Sequence, residues 1–162
     1  MRQMKIDKLF TTLEESKKWL EENRTEGCIC PCCNQFAKIY KRKLNAGMAL
    51  FLIGLYKLSK KSTSTNFSNK SIMSEMKINT SSLDYSILKH FNLIKESGII
   101  PNEKRKSGFW KLTSLGNDFV EKKVQVNSHV YLYDSEVLGF SESKISIMET
   151  LGEKFDYNEL MK

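Results

Sequence analysis

The amino-acid sequence predicts an α+β fold, and three observations carry that reading. Helix-period stretches that begin at recognisable caps alternate with two short hairpin patterns. An apolar run over 46–56, broken only by Gly54, supplies a buried helix; a membrane span would need about twenty such residues. The composition, 162 residues with 40% hydrophobic and 28% charged side chains, is that of one domain with a small appendage. Eight glycines and two prolines exclude collagen-like and linker-dominated chains.

The elements follow in order. Thr11 and Thr12 with Glu14 and Glu15 make a capping-box pattern, and Phe10, Leu13, Lys17 and Leu20 recur at helical spacing, predicting a helix over 12–23. A polar stretch ends it at Gly27. A cysteine turn follows, then an alternating aromatic and basic stretch over 36–43 that fixes no single conformation. Asn45 caps a helix to about Lys60, apolar nearly all round and so central to the core. The Ser/Thr/Asn-rich 62–71 is a loop, and 71–76 is a short helix. Asn79, Thr80 and Ser81 offer the next cap; Leu83, Ile87, Phe91 and Ile94 share a face of the following helix, which Gly98 stops. Ile99-Ile100 and 109–112 read as strands flanking a polar tip over 102–108. Thr113 or Ser114 caps a helix through Lys123, with Leu115 and Phe119 inward. A second hairpin pairs 129–133 with 136–140 around Asp134-Ser135, and two short helical pieces close the chain. The expected organisation is an N-terminal helix, cysteine turn and basic arm (1–44), a core (45–123) and an acidic hairpin and short-helix extension (124–162).

From Asn45 to Lys123 the order helix, short helix, helix, hairpin, helix resembles a winged helix-turn-helix domain. Residues 82–98 stand as its third helix and 99–113 as its wing. The string Ser107-Gly-Phe-Trp-Lys-Leu-Thr-Ser-Leu-Gly-Asn-Asp-Phe-Val120 looks like the second wing strand entering the next helix. A second resemblance rests on Cys30-Pro-Cys-Cys33, Tyr40-Lys-Arg-Lys-Leu-Asn-Ala-Gly-Met48, Gly108-Phe-Trp-Lys-Leu-Thr113 and Val130-Tyr-Leu-Tyr133. Together these are similar to small proteins encoded by bacteriophages and prophages, which implies a mobile-element origin and carries no fixed biochemical role.

Charge narrows the function. The formal net charge is +7, but residues 27–111 hold fifteen basic and four acidic side chains, while 112–162 hold five basic and nine acidic. No acidic residue occurs between Glu26 and Glu75, so a positive field belongs to the middle of the chain and points to an anionic partner. Lys38, Lys41, Arg42 and Lys43, with Phe36 and Tyr40, form a cationic and aromatic arm suited to phosphates, or else a solvated surface run anchored by its rings. Lys104, Arg105 and Lys106 sit at the expected wing tip. At the expected recognition helix, Asn79, Ser81, Tyr85, Ser86 and Lys89 are the candidates for phosphate and base-edge contacts, although Asp84 repels phosphate.

All four cysteines, Cys28, Cys30, Cys32 and Cys33, fall within six positions, which is a poor disulfide framework. Cys30 and Cys33 have the Cys-x-x-Cys spacing of a zinc turn, and Cys28 is near enough to add a third sulfur. Cys32, a distant histidine or a second chain would complete a structural zinc site. Reduced cysteines in a turn and a redox pair are the alternatives, the latter lacking its usual βαβ context. His90 and His129 read as structural histidines, and Trp19 and Trp110 as packing residues.

No nucleophile elbow, phosphate loop or paired-histidine zinc helix occurs, and the acidic residues of 112–162 are scattered singly rather than paired, so a non-enzymatic role is expected. The leading expectation is a nucleic-acid-binding, most simply duplex-DNA-binding, accessory or regulatory protein of phage type, DNA being favoured over RNA. The N-terminus lacks the apolar core of a secretory signal, so a cytoplasmic protein of a bacterial host cell with no membrane partner is expected. The other class of reading is an inhibitor of a host defence protein (an anti-CRISPR or other anti-defence role). It would act by protein contact through Tyr131, Tyr133, Phe140, Phe155 and Tyr157, or by filling a nucleic-acid channel. Winged-helix resemblance also admits a homodimer, although no heptad seam is present.

Overall fold

The computed structural model describes residues 12–77, 84–97 and 108–162. Its first elements are helix α1 (Leu13–Asn23) and strands β1 (Cys28–Ile29), β2 (Phe36–Ala37) and β3 (Tyr40–Lys43). Helix α2 (Ala46–Lys61), strand β4 (Phe67–Ser68), helix α3 (Asn69–Glu75) and a 3-10 helix (Tyr85–Lys89) follow. Then come β5 (Ile94–Glu96), β6 (Phe109–Leu112), α4 (Ser114–Val120), β7 (Val126–Asn127), β8 (His129–Tyr133), β9 (Glu136–Phe140), β10 (Lys144–Ile145), α5 (Ile147–Leu151) and α6 (Tyr157–Leu160). The result is α+β, with small antiparallel sheets. No helix among the described residues is long and apolar enough to cross a membrane.

The chain forms two compact units. The first takes the described part of Met1–Arg42 together with Val130–Phe140; the second takes that of Lys43–His129 together with Ser141–Lys162. The segment 124–162, expected as one extension, is therefore shared. Its hairpin goes with the first unit because β8 lies between β3 and β9 in one sheet, while α5 packs on α2 in the second.

In the first unit the capping box forms as expected: Glu15 N donates to Thr12 Oγ1 at 3.1 Å and Thr12 N to Glu15 Oε2 at 3.2 Å. The expected apolar stripe of α1 is not what is buried. Leu13 is 61% exposed, and Ser16 is buried with its hydroxyl donating to Thr12 O. The β8–β9 turn has Asp134 at φ 48° and Ser135 at φ 65°, the left-handed pair that lets a two-residue loop match strand twist. Tyr131 opposes Gly139 and Leu132 opposes Val137, so the extra residue, Leu138, sits on β9 and β8 keeps its regular alternation.

In the second unit Asn45 accepts from Met48 N at 3.0 Å and starts α2, in which every residue from Met48 to Leu55 is buried. The apolar run thus sits at the centre of the core, packed by α3, α4, α5 and β6. Strands β4, β6 and β5 form an antiparallel sheet in that order, pairing Phe67 with Trp110 and Ile94 with Leu112.

The helix expected over 82–98 is corrected. Within its described part only the 3-10 helix Tyr85–Lys89 forms; Asn92 then takes φ 58° and the chain continues as β5. Asparagine tolerates this left-handed conformation, which ends a helical path. Leu93 and Ile94 are both buried beyond it, and Ile94 pairs with Leu112 of β6. The first strand of the β6 hairpin is accordingly 94–96; Gly98 and Ile99-Ile100 lie outside the described residues.

Two local devices lock this unit. Thr113 Oγ1 donates to Asn92 O at 2.7 Å and Leu93 O at 3.0 Å, and accepts from Gly116 N at 2.9 Å. Asn69 bridges two aromatics: Trp110 Nε1 donates to its Oδ1 at 2.5 Å, and its Nδ2 donates to Tyr85 Oη at 2.6 Å. Buried polar atoms are thus satisfied where the sheet meets the helices.

Candidate functional site

Of the eight basic residues between 27 and 74, the fold neutralises three. Lys57 and Lys61 pair with Glu75, and Lys60 lies 3.9 Å from Glu121. Among the described residues no carboxylate pairs with Lys38, Lys41 or Lys43. Lys38, Lys41 and Lys43 thus stay outside the ion pairs that take up Lys57, Lys60 and Lys61, and all four residues of β3 are exposed.

In the first unit that arm meets tyrosines of β8. Lys41 Nζ lies 5.8 Å from the Tyr131 ring centroid, the Arg24 guanidinium 4.4 Å from Tyr133, and the Arg42 guanidinium 5.8 Å from Tyr40. Alternation puts Tyr131 and Tyr133 on one face of β8, while Val130, on the other, is fully buried. Opposite Tyr131, a Cβ built at Gly139 would touch nothing within 4 Å, so the ring is open on that side. Laid on a ring face and paired with no carboxylate among the described residues, Lys41 keeps its charge available to an incoming anion. The sequence picked out Lys38, Lys41, Arg42 and Lys43 but not Arg24, and it placed Tyr131 and Tyr133 in a different role. Only strand pairing between distant segments brings them together.

In the second unit Ser86 and Lys89 are exposed on the 3-10 helix. Tyr85, expected at a groove, is corrected to a packing residue. It stacks on Phe51 at 4.7 Å between centroids, meets Trp110 edge-on at 6.0 Å, and accepts at its hydroxyl from Asn69 Nδ2. Asn79, Ser81, Lys104, Arg105 and Lys106 lie outside the described residues. Tyr157, expected as an interface anchor, is buried and donates to Val120 O at 2.7 Å.

The cysteines occupy a tight hairpin between β1 and β2. Cys30 N donates to Gln35 O at 2.8 Å, Asn34 N donates back to Cys30 O at 2.9 Å, and Asn34 takes φ 61°. All four thiols are free; Cys28 is buried, Cys30 half-buried, and Cys32 and Cys33 exposed. Burial pushes the Cys28 thiol up, and the neighbouring Cys30 adds to it. Burial also raises Cys30, but hydrogen bonds from the backbone amides and then the thiols of Cys33 and Cys32 outweigh it and hold that thiol below its ordinary value. Among the described residues no three His, Cys, Asp or Glu side chains group around one point as metal ligands, so Cys28 does not join Cys30 and Cys33 in a three-ligand cluster.

Both histidines are half-buried. Burial, then Lys89, pushes His90 below its ordinary value, and His129 Nδ1 lies 2.7 Å from Ser128 Oγ.

The chain matches no protein-family model, no curated protein and no solved structure.

Proposed function

We propose that this is a non-enzymatic nucleic-acid-binding protein, of the phage accessory or regulatory kind, acting in the cytoplasm of a bacterial host with DNA as its ligand. The observation that carries the reading is the β3–β8 face, where Lys41 and Arg24 lie on Tyr131 and Tyr133, with Lys38 nearby in sequence and paired with no carboxylate among the described residues. With cations covering the rings, this face offers charge to a phosphate backbone more readily than bare rings to unstacked bases, which favours duplex over single strands. A winged helix-turn-helix reading of the second unit agrees with it. The succession α2, β4, α3, 3-10 helix, β5, β6 and the strand order β4–β6–β5 fit such a domain, and Lys104, Arg105 and Lys106 fall between the two hairpin strands.

A salt series with random duplex DNA, single-stranded DNA and RNA tests the proposal. If about five phosphates are neutralised, log K falls with log salt at a slope near −4.5, and each arm cation replaced by alanine reduces the slope by about 0.9. Duplex is expected to bind best. Binding that ignores salt, or that survives replacement of Lys38, Lys41, Arg42 and Lys43 together, overturns it.

One observation favours protein contact as a second reading. Strand β9 is a sheet edge and exposes Val137, Leu138 and Phe140, each above 40%. An anti-defence inhibitor would use that edge, and its complex with a host protein would persist after nuclease treatment.

A further inference from the structure

We propose that Cys30 and Cys33 of one chain form a reversible disulfide on reaction with a hydroperoxide, leaving Cys28 and Cys32 as thiols. The inference stands apart from nucleic-acid binding and rests on the way the β1–β2 hairpin gathers its sulfur atoms. Cys30 N donates to Gln35 O at 2.8 Å and Cys30 O accepts from Asn34 N at 2.9 Å, so residues 31–34 close one tight turn beyond the ladder. Pro31 pre-sets the entry to that turn through its fixed φ, and Asn34 ends it at φ 61°. The Cys30 sulfur accepts from the amides of Cys32 and Cys33, as a capping side chain accepts from the second and third residues of the turn it opens. Cys33 therefore stands where a capping-box side chain reaches back to the cap, and its thiol hydrogen-bonds the Cys30 sulfur.

The Cys32 thiol also touches Cys30, but positions two apart on a turn do not share a face, whereas positions three apart do. Cys33 is exposed and Cys30 half-buried, so a small oxidant reaches the pair from solvent, while Cys28 is buried in β1 opposite Ala37. The Cys33 sulfur attacks the hydroperoxide, the O–O bond breaks, the sulfur keeps one oxygen as a sulfenic acid, and the alcohol leaves (water, where the oxidant is hydrogen peroxide). The Cys30 sulfur then attacks the Cys33 sulfur; the S–S bond forms, and the hydroxyl leaves as water with the proton of the Cys30 thiol. The two thiols lose two electrons, which reduce the hydroperoxide, and a dithiol restores both thiols by exchange. A thioredoxin-like βαβ frame is not required, because the oxidant is a small molecule and the second thiol lies on the same turn.

The test uses the reduced full chain, treated with hydrogen peroxide and then unfolded in N-ethylmaleimide, with free cysteine oxidised in parallel as the reference. Intact mass and fragmentation of the cysteine peptide are read before and after dithiothreitol. The wild type should lose two hydrogens, fall from four reactive thiols to two, carry N-ethylmaleimide on Cys28 and Cys32 alone, and recover all four thiols on reduction. Cys32→Ser should lose the same two hydrogens, and Cys33→Ser should form no disulfide. The position of the bond is read on the wild type itself, so the result does not depend on a variant that folds. A Cys30–Cys32 bond overturns the proposal, as does a disulfide between chains, a disulfide in Cys33→Ser, a gain of oxygen without loss of hydrogens, or a wild type that stays fully reduced while free cysteine is oxidised.

Discussion

Glu121 ends α4 within reach of three donors: Tyr56 Oη and Asn117 Nδ2, each at 3.0 Å, and Lys123 Nζ at 2.5 Å. Lys123 is the strongest of these influences, followed by Tyr56 and Asn117, and together they hold the carboxyl at about 2, against an ordinary 4.5. Because the folded value is depressed, the unfolded chain takes up the proton first. The contribution is present above pH 4.5 and is lost as the pH falls towards 2. Glu121→Gln is therefore expected to flatten the fall in Tm over that interval, read by thermal melts at fixed ionic strength. Equal slopes for the two proteins would count against the triad of donors as the cause. Asn92 works at the same scale: one left-handed asparagine decides whether 90–97 continues as helix or turns into a strand. It was readable in the sequence only as a residue that tolerates the conformation, since Phe91 and Ile94 also satisfy helical spacing.

At the scale of elements, α4 is held against β5 by an approach that only glycine permits. A Cβ at Gly116 would stand 2.1 Å from the Leu93 carbonyl oxygen and 2.9 Å from Leu112 Cδ1. Helix propensity alone favours alanine there by about 1 kcal/mol, but a backbone oxygen cannot rotate away, and overpacking costs about 1–3 kcal/mol. Gly116→Ala is expected to destabilise the protein by about 2 kcal/mol, measured by denaturant unfolding; a neutral or stabilising result would show that α4 moves freely on the sheet. Elements announced by local chemistry were legible. The caps Thr12, Asn45 and Thr113, the Asp134-Ser135 turn and the buried α2 all follow from neighbouring side chains. What depends on distant pairing was not. Nothing near Lys41 specifies Tyr131 as the ring beneath it, and nothing near Tyr85 specifies a place between Phe51 and Trp110. The cysteine turn stood out from spacing alone, whereas the exclusion of Cys28 from a shared cluster depends on its burial in β1.

For the whole molecule, net charge is a poor guide to binding because folding spends part of it internally. The +7 includes Lys57, Lys60 and Lys61, whose partners Glu75 and Glu121 lie in the same unit. Replacing Lys60 and Lys61 by glutamine is expected to leave the salt slope of DNA binding unchanged within about 0.5, whereas the same change at Lys38 and Lys41 lowers it by about 1.8. Both pairs change the net charge equally, so titrating each variant in the same assay separates total charge from local charge; equal slopes would mean that long-range attraction governs binding.

The chain's double visit to the first unit also governs the order in which it can fold during synthesis. Strand β3 emerges from the ribosome well before the strand it pairs with, and the intervening residues belong to a different unit. Until 130–140 appears, the N-terminal segment carries an unpaired, basic strand edge, and the second unit waits longer still, because α5, which packs on α2, follows 130–140 in the chain. Long separation between paired segments slows closure, so the growing chain exposes the cations of β3, a strand with no carboxylate of its own, until 130–140 arrives.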